Sequence, residues 1–181
     1  MKARQYINMM GMAAAVLLSS CVKDTLYDTS HPDYGKIAVT ADWSARGEGI
    51  GIPATWTVTM GDYTGTETSA THVPDHLFAP GSYTLAVWNP AEGITVSGTT
   101  ATVAAATGNR ADTDAFVNNA PGWFFTCTEQ VSIEKDKDYP LTAAMKQQVR
   151  ELTLVVEPTG DAAGRITEIV AHLTGAAGTL D

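Results

Sequence analysis

His72 and His76 form the only closely spaced pair of histidines in the chain. Imidazole nitrogens at this spacing can bind zinc when a helix places both on one face. A proline stands between them and disrupts such a helix, and no third ligand follows nearby, so a surface loop is the favoured interpretation. Oxygen atoms of Asn109, Asp112 and Asp114 could bind calcium, but the twelve-residue loop of calcium sites is absent, which favours a polar loop. The sequence therefore predicts no metal site.

Residue groupings that would support catalysis are missing from the sequence. No serine lies in a Gly-x-Ser-x-Gly elbow, and neither a phosphate-binding loop nor a dinucleotide fingerprint occurs. The histidines stand beside no recognisable set of nucleophile, base and acid; they are His31, His72, His76 and His172. We therefore predict that the protein is not an enzyme and that it uses no cofactor.

The four tryptophans could stack their rings on sugars. Trp43 and Trp56 fall in the apolar phase of predicted strands, so core packing is favoured for both. Trp88 is opposite in phase to its apolar neighbours, and Trp123 begins a strand after a Pro-Gly turn. These two are the candidate ligand-stacking residues. One hypothesis is accordingly a surface lipoprotein that acts as a binding module for glycan or protein ligands.

The first twenty residues have the layout of a cleavable export signal. Two basic residues precede an uncharged apolar stretch that is shorter than the roughly 20 residues needed to cross a membrane. The stretch ends in Leu-Ser-Ser-Cys, which resembles the lipobox of bacterial lipoproteins. We predict a signal peptide over 1–20, cleavage between Ser20 and Cys21, and acylation of Cys21. Residues 21–35 would then be an acylated tether that holds the protein on a membrane through lipid.

The net charge limits the classes of partner that the protein can bind, and the cysteine content limits its disulfides. The formal charge of −9 becomes −11 once the two basic residues of the signal peptide are removed. An acidic chain without a lysine and arginine cluster lacks the cations that neutralise phosphates, so no nucleic-acid partner is predicted. If Cys21 is acylated, Cys127 has no disulfide partner within the chain. We expect Cys127 to be a small buried side chain on a strand.

Alternation of apolar and polar residues predicts β-strands through most of the chain after residue 35. The clearest predicted strands are 36–43, 55–60, 83–89, 94–96, 100–103 and 123–133. Segment 83–89 is apolar on both faces, which predicts a central strand. Residues 134–138 are predicted to be a charged hairpin tip, and 104–121 a long loop.

A change of apolar phase marks the next segment. Leu141, Ala143 and Met145 alternate in one phase, whereas the apolar residues of 152–156 alternate in the opposite one. The reversal predicts a bulge near 148–150, where one strand would pass from one sheet to another. A further strand is predicted within 166–173. Few helical patterns occur after residue 21, so the fold class predicted is all-β, a sandwich.

Several segments then resemble a known family. Behind the lipobox and an acidic tether come the strand Lys36–Trp43, the turn Pro80–Tyr83 leading into Leu85–Asn89, and the segment Met145–Leu154. Together they resemble the Bacteroidetes fimbrillin-like lipoproteins, in particular their fimbrial anchor and assembly subunits. The resemblance implies a transthyretin-like, Greek-key β-sandwich that is lipid-anchored and surface-exposed at the cell outer membrane. It also implies fimbrial (pilin) subunits as partners and a role in anchoring fimbriae or regulating their length.

The resemblance raises two expectations about assembly. Family members usually have two sandwich domains, and this chain ends about where the first closes, so we expect one β-sandwich domain over 36–181. A sandwich edge could pair its backbone groups with a strand of a neighbouring subunit, which is β-strand complementation.

Arg46 lies in a glycine-containing loop after the first strand, where a trypsin-like protease could cut. An ordinary solvated arginine is the alternative for this residue.

Overall fold

A computed structural model describes residues 27–104, 121–153, 155, 157, 159, 164 and 178–180. Every regular element in this part of the chain is a β-strand, which confirms the all-β prediction. The strands are β1 (Gly35–Asp42), β2 (Trp56–Met60), β3 (Tyr63–Glu67), β4 (Thr71–His72), β5 (Gly81–Trp88), β6 (Ile94–Ser97), β7 (Thr100–Val103), β8 (Phe125–Ile133), β9 (Lys137–Ala144), β10 (Lys146–Gln147) and β11 (Thr179–Leu180).

The strands form three sheets. The first sheet has the order β4-β1-β9, the second β10-β8-β5-β2-β3, and the third β11-β7-β6. All pairs are antiparallel except β1 and β9, which run parallel over eight residue pairs. β5 lies in the middle of the second sheet, between β2 and β8, as its apolar sequence predicts.

The first and second sheets share one hydrophobic core. Side chains alternate between the two faces of a strand, so every second residue of β1 points inward. Ile37, Val39 and Ala41 are buried, while the residues between them are partly exposed. They join inward-facing residues of the other strands in a single cluster, which includes Val58, Met60, Leu85, Val87, Phe125, Ile133 and Ala143. The predicted strand Lys36–Trp43 is therefore confirmed almost to its ends.

The chain does pass from one sheet to another after β9, but earlier than predicted. Met145 is buried, and its N–H donates to the carbonyl of Asp42 in the first sheet at 2.9 Å. Lys146 already pairs with Thr126 in the second sheet. The switch occurs at Met145 because a buried side chain there fills the core between the sheets, so the predicted position near 148–150 was wrong.

Two other predictions need correction. The turn at 134–136 joins β8 and β9, which belong to different sheets, so it is a crossing between sheets and not a hairpin tip. Residues 151–153 lie outside any strand, and Leu152 is 71% exposed and Val155 72% exposed. The apolar alternation there is not used for pairing within the described residues. The predictions for 105–120 and 166–173 fall outside those residues.

Candidate anchoring and assembly site

The predicted cleavage and acylation sites, Ser20 and Cys21, lie outside the described residues, and both remain predictions. The predicted tether, residues 21–35, is described from Tyr27 onward. Within the described part of the chain, the structure contains no helix that could cross a membrane.

The described end of the tether is fastened to the turn between β8 and β9. The Asp136 carboxylate accepts hydrogen bonds from the backbone N–H groups of Asp28 and Thr29, each at 2.8 Å, and from the Thr29 hydroxyl at 2.8 Å. Donation from the Asp28 N–H is the main reason why the pKa of Asp136 is lowered. Asp136 has a φ of 58°, a left-handed conformation that aspartate tolerates better than most residues. The turn thus presents its carboxylate to the tether.

His31 makes the second attachment. Its side chain is buried, with Nδ1 3.0 Å from the carbonyl oxygen of Tyr34 and Nε2 3.0 Å from Oδ1 of Asp138. Both partners are acceptors, so a ring that carries a proton on each nitrogen fits best. The Tyr34 carbonyl is the main cause that raises the pKa of His31; burial opposes it and the Asp138 carboxylate supports it. His31 therefore links the residues before β1 to Asp138 of β9.

The fastened tether leads directly into an interior strand. The N–H of Asp136 donates to the Tyr34 carbonyl at 2.8 Å, and the next residue, Gly35, begins β1. Close packing requires glycine here, because a Cβ at Gly35 would lie 2.5 Å from the side chain of Ile133. β1 then runs between β4 and β9, so the predicted tether continues directly into the middle strand of the first sheet.

Arg46 lies in the loop between β1 and β2 and is exposed. Its Nη1 donates to the carbonyl of Trp43 and its Nε to the carbonyl of Ile50, both at 3.0 Å. The neighbouring N–H of Gly47 donates to the side chain of Gln147 at 2.8 Å. The loop is therefore held in a compact shape, and protease cleavage at Arg46 remains a prediction.

The tryptophans divide largely as predicted. Trp43 and Trp56 are buried in the shared core. Trp88 lies on the outer face of β5 and lines a cavity of about 230 Å³ between the second and third sheets, together with Thr128 and Gln148. Trp123 is 37% exposed but does not line that cavity. The two candidate stacking residues are not brought together there.

The expected surface loop at His72 is wrong. His72 lies in β4 and is half-buried; Nε2 is 2.6 Å from the Tyr63 hydroxyl and Nδ1 3.3 Å from the Glu67 carboxylate. The backbone N–H of Ser69, above all, lowers the pKa of Glu67 to about 2. The network joins β3 of the second sheet to β4 of the first. Among the described residues there is no cluster of ligands that could hold a metal, while Asn109, Asp112, Asp114 and His172 lie outside them.

Cys127 is buried on β8, as predicted. Burial is the main cause that raises the pKa of its thiol to about 11, and the nearby Glu129 carboxylate adds to it. A thiol with so high a pKa reacts slowly at neutral pH, because the thiolate is the reactive form.

Comparison with known proteins identifies the family. Over residues 57–181 the sequence matches the fimbrillin-A associated anchor proteins Mfa1 and Mfa2, and the chain belongs to this family. Its membership agrees with the resemblance drawn from the sequence, and the matched range includes the turn Pro80–Tyr83 and the segment Met145–Leu154.

A solved structure gives a weaker likeness. A candidate adhesin from Bacteroides ovatus ATCC 8483 is 16% identical, with a TM-score of 0.45; the match covers 63% of this chain and 44% of that one. The chain thus spans less than half the length of that adhesin. A search of curated protein sequences gave no significant match.

Proposed function

We propose that this protein is a membrane-anchored fimbrial subunit that anchors fimbriae or regulates their length. Membership of the fimbrillin-A associated anchor family supports this role. The observation that carries the proposal is the fastened tether: Asp136 and His31 join the residues that follow the predicted lipid anchor to the turn and strand beside β1. A subunit that must hold a filament on a membrane needs such a connection between its anchor and its core.

The finer parts of the proposal concern location and contact. Acyl chains on Cys21 would hold the protein at the cell outer membrane with its sandwich exposed at the surface. Fimbrial subunits would be its partners, and strand addition to a transthyretin-like, Greek-key sandwich would be the mode of contact. The acidic charge favours protein partners over nucleic acid. The role is structural and requires no catalysis.

Replacement of Cys21 tests the anchor. We expect Cys21→Ala to move the protein from the membrane fraction to the soluble fraction, and to end its co-purification with fimbrial subunits from detergent-solubilised membranes. Cys127→Ala is the matched control, because it removes the other cysteine from a buried site and should leave attachment unchanged. Membrane retention of Cys21→Ala, or a wild-type protein that never co-purifies with fimbrial subunits, would contradict the proposal.

A binding module for glycan is a second candidate, favoured by one observation. Trp88 lines the cavity between the second and third sheets beside polar groups of Thr128 and Gln148, an arrangement that suits a small polar ligand. Under this alternative, Trp88→Ala abolishes binding to glycans on an array and leaves fimbriation intact. Trp123→Ala is the control for general loss of an exposed indole. Unchanged binding in Trp88→Ala would exclude the cavity as the glycan site.

A further inference from the structure

Within the described residues, most of one edge of the second sheet is unpaired. β10 pairs with β8 only at Phe125 and Thr126, and one further bond joins the N–H of Gln148 to the carbonyl of Phe124 at 2.8 Å. Beyond Thr126 the chain leaves this edge, because Ala144 belongs to β9 in the first sheet. The rest of β8, up to Ile133, has β5 on one side and no described strand on the other.

The pairing pattern shows which backbone groups face that edge. In an antiparallel ladder, successive residues direct their N–H and C=O groups to opposite sides. Phe125 bonds toward β5, because its carbonyl accepts from Asn89 at 3.4 Å. Every second residue after Thr126 therefore faces away from β5, namely Thr128, Gln130 and Ser132. In the described part of the chain, their backbone groups have no partner.

The other long edge is that of β9 in the first sheet, and a proline interrupts it. The N–H of Met145 donates to the carbonyl of Asp42, and by alternation the odd-numbered residues of β9 bond to β1. The positions that face outward are Asp138, Pro140, Thr142 and Ala144. Pro140 has no N–H, so an added strand would lose a hydrogen bond in the middle of this edge. Proline at such a position is a common protection against unwanted pairing.

β3 has a shorter edge. It pairs with β2 across the two-residue turn at Gly61 and Asp62, so Met60 and Tyr63 bond to each other. By alternation only Thr64 and Thr66 face outward. Among the described long strands, β8 therefore has the longest edge with an unbroken series of donors and acceptors.

We propose that an extended strand of a fimbrial subunit adds to the β8 edge, in line with β10, by bonding to the backbone of Thr128, Gln130 and Ser132. The inference rests on the proposed function. Unpaired backbone groups spaced along a strand give an added strand its affinity through main-chain hydrogen bonds. Side chains add selectivity: Glu129 is exposed at the centre of the edge, so the incoming strand carries a basic residue opposite it.

Two substitutions at one position test whether the backbone is what binds. Gln130→Pro removes the N–H that faces the edge, whereas Gln130→Ala keeps it and removes only a side chain that bonds Thr84. The probe is fimbriae sheared from the bacterium that makes this protein, bound to the detergent-solubilised lipoprotein. We expect Gln130→Pro to weaken binding by roughly tenfold or more and Gln130→Ala by less than about threefold. Equal affinities of the two variants would overturn the proposal.

Hydrogen exchange of the unaltered protein decides the matter even if Gln130→Pro fails to fold. Fimbriae are expected to slow exchange at the amides of Thr128, Gln130 and Ser132 and to leave Thr142 on β9 unchanged. Binding with protection at β9 or β3 instead would overturn this inference and leave the anchor proposal standing. Absence of binding by wild-type protein would overturn both. Protection of the same amides by a second copy alone, rising with protein concentration, would show self-association and also overturn the inference.

Discussion

The side chain of Asn89 bridges the junction between β5 and β8. It is 2% exposed. Its Nδ2 donates to the carbonyls of Trp123 at 2.8 Å and Pro90 at 3.0 Å, and its Oδ1 accepts from the N–H of Phe125 at 2.7 Å. The side chain satisfies backbone groups where β5 ends and β8 begins. A buried backbone N–H or C=O group that loses its hydrogen-bond partner lowers the stability of the folded protein.

We expect Asn89→Ala to lower the free energy of unfolding by about 1–3 kcal/mol, because it leaves the Phe125 N–H and the Trp123 carbonyl unpaired. Urea denaturation measures the change. Gln148→Ala is the matched control: it removes an exposed amide that bonds Thr126, so its cost should stay within about 0.5 kcal/mol. Equal losses in the two variants would show that the buried position of Asn89 has no special effect.

The predicted tether is attached at two places, through His31 and through Asp136. The strength of these two attachments changes with pH in opposite directions. The pKa of His31 is raised above 6.5, so its contribution is complete below that value and is lost as the pH rises through the raised pKa. The pKa of Asp136 is lowered below 3.8, so its contribution is complete above that value and is lost as the pH falls through the lowered pKa. We expect the tether to be held most firmly between about pH 4 and about pH 6.5.

Amide exchange at Asp28 and Thr29, expressed as protection factors, measures this attachment. Protection should fall in the wild type as the pH rises above 6.5 and through the raised pKa of His31, and should stay level in His31→Gln, whose side chain does not titrate. His76→Gln is the control, since His76 lies outside the tether and should leave the wild-type pH dependence in place. A wild-type protein whose protection does not change as the pH rises through this range would refute the interpretation that His31 binds as the charged imidazolium.

At the scale of elements, the sequence predicted strands better than it predicted their partners. Buried and exposed residues alternate in β1 as its sequence does, because one face meets the core. β3 and β4 were missed, since their threonines, glycine and glutamate provide no apolar alternation and pair only because β2 and β1 lie beside them. The parallel pairing of β1 with β9 joins residues about a hundred positions apart. Local periodicity contains no information about such contacts, nor about the bonds between Thr29 and Asp136.

The loop after β1 allows a prediction about proteolysis. Cleavage at Arg46 requires the loop to open, and the two bonds from its guanidinium to the carbonyls of Trp43 and Ile50 oppose opening. Arg46→Lys keeps a trypsin site but lacks the planar group that reaches both carbonyls. We therefore expect trypsin to cut Arg46→Lys faster than wild type at this position, and Arg46→Ala not at all.

Mass spectrometry of timed digests identifies the cut, and gel filtration shows whether the two fragments stay together. The fragment that contains β1 should remain with the rest of the protein, because Ile37, Val39 and Ala41 are buried and β1 is paired on both sides. Slower cleavage of Arg46→Lys than of the wild type would contradict the role of the hydrogen bonds in holding the loop closed. Immediate release of the β1 fragment would contradict the central position of β1 in the sheet.

At the scale of the whole molecule, the direction of load matters if the protein is held on a membrane by lipid, as we propose. Force from the membrane would then enter through the predicted tether and reach the beginning of β1. β9 runs parallel to β1, so its end at Ala144 lies at the opposite end of the ladder from Gly35. Pulling the start of β1 against the end of β9 therefore shears eight residue pairs together. Pulling it against the start of β9 opens the same ladder one pair at a time.

Force spectroscopy with two attachment geometries separates these cases. Thiols introduced by Tyr27→Cys and Gln148→Cys load the ladder in shear, whereas Tyr27→Cys with Glu134→Cys peels it from one end. Cys127 should not interfere with the attachment, because its buried thiol has its pKa raised to about 11. We expect a clearly higher rupture force in the shear geometry, since forced unfolding follows the barrier that the loaded contacts create. Equal forces would mean that the parallel β1–β9 ladder does not carry the load.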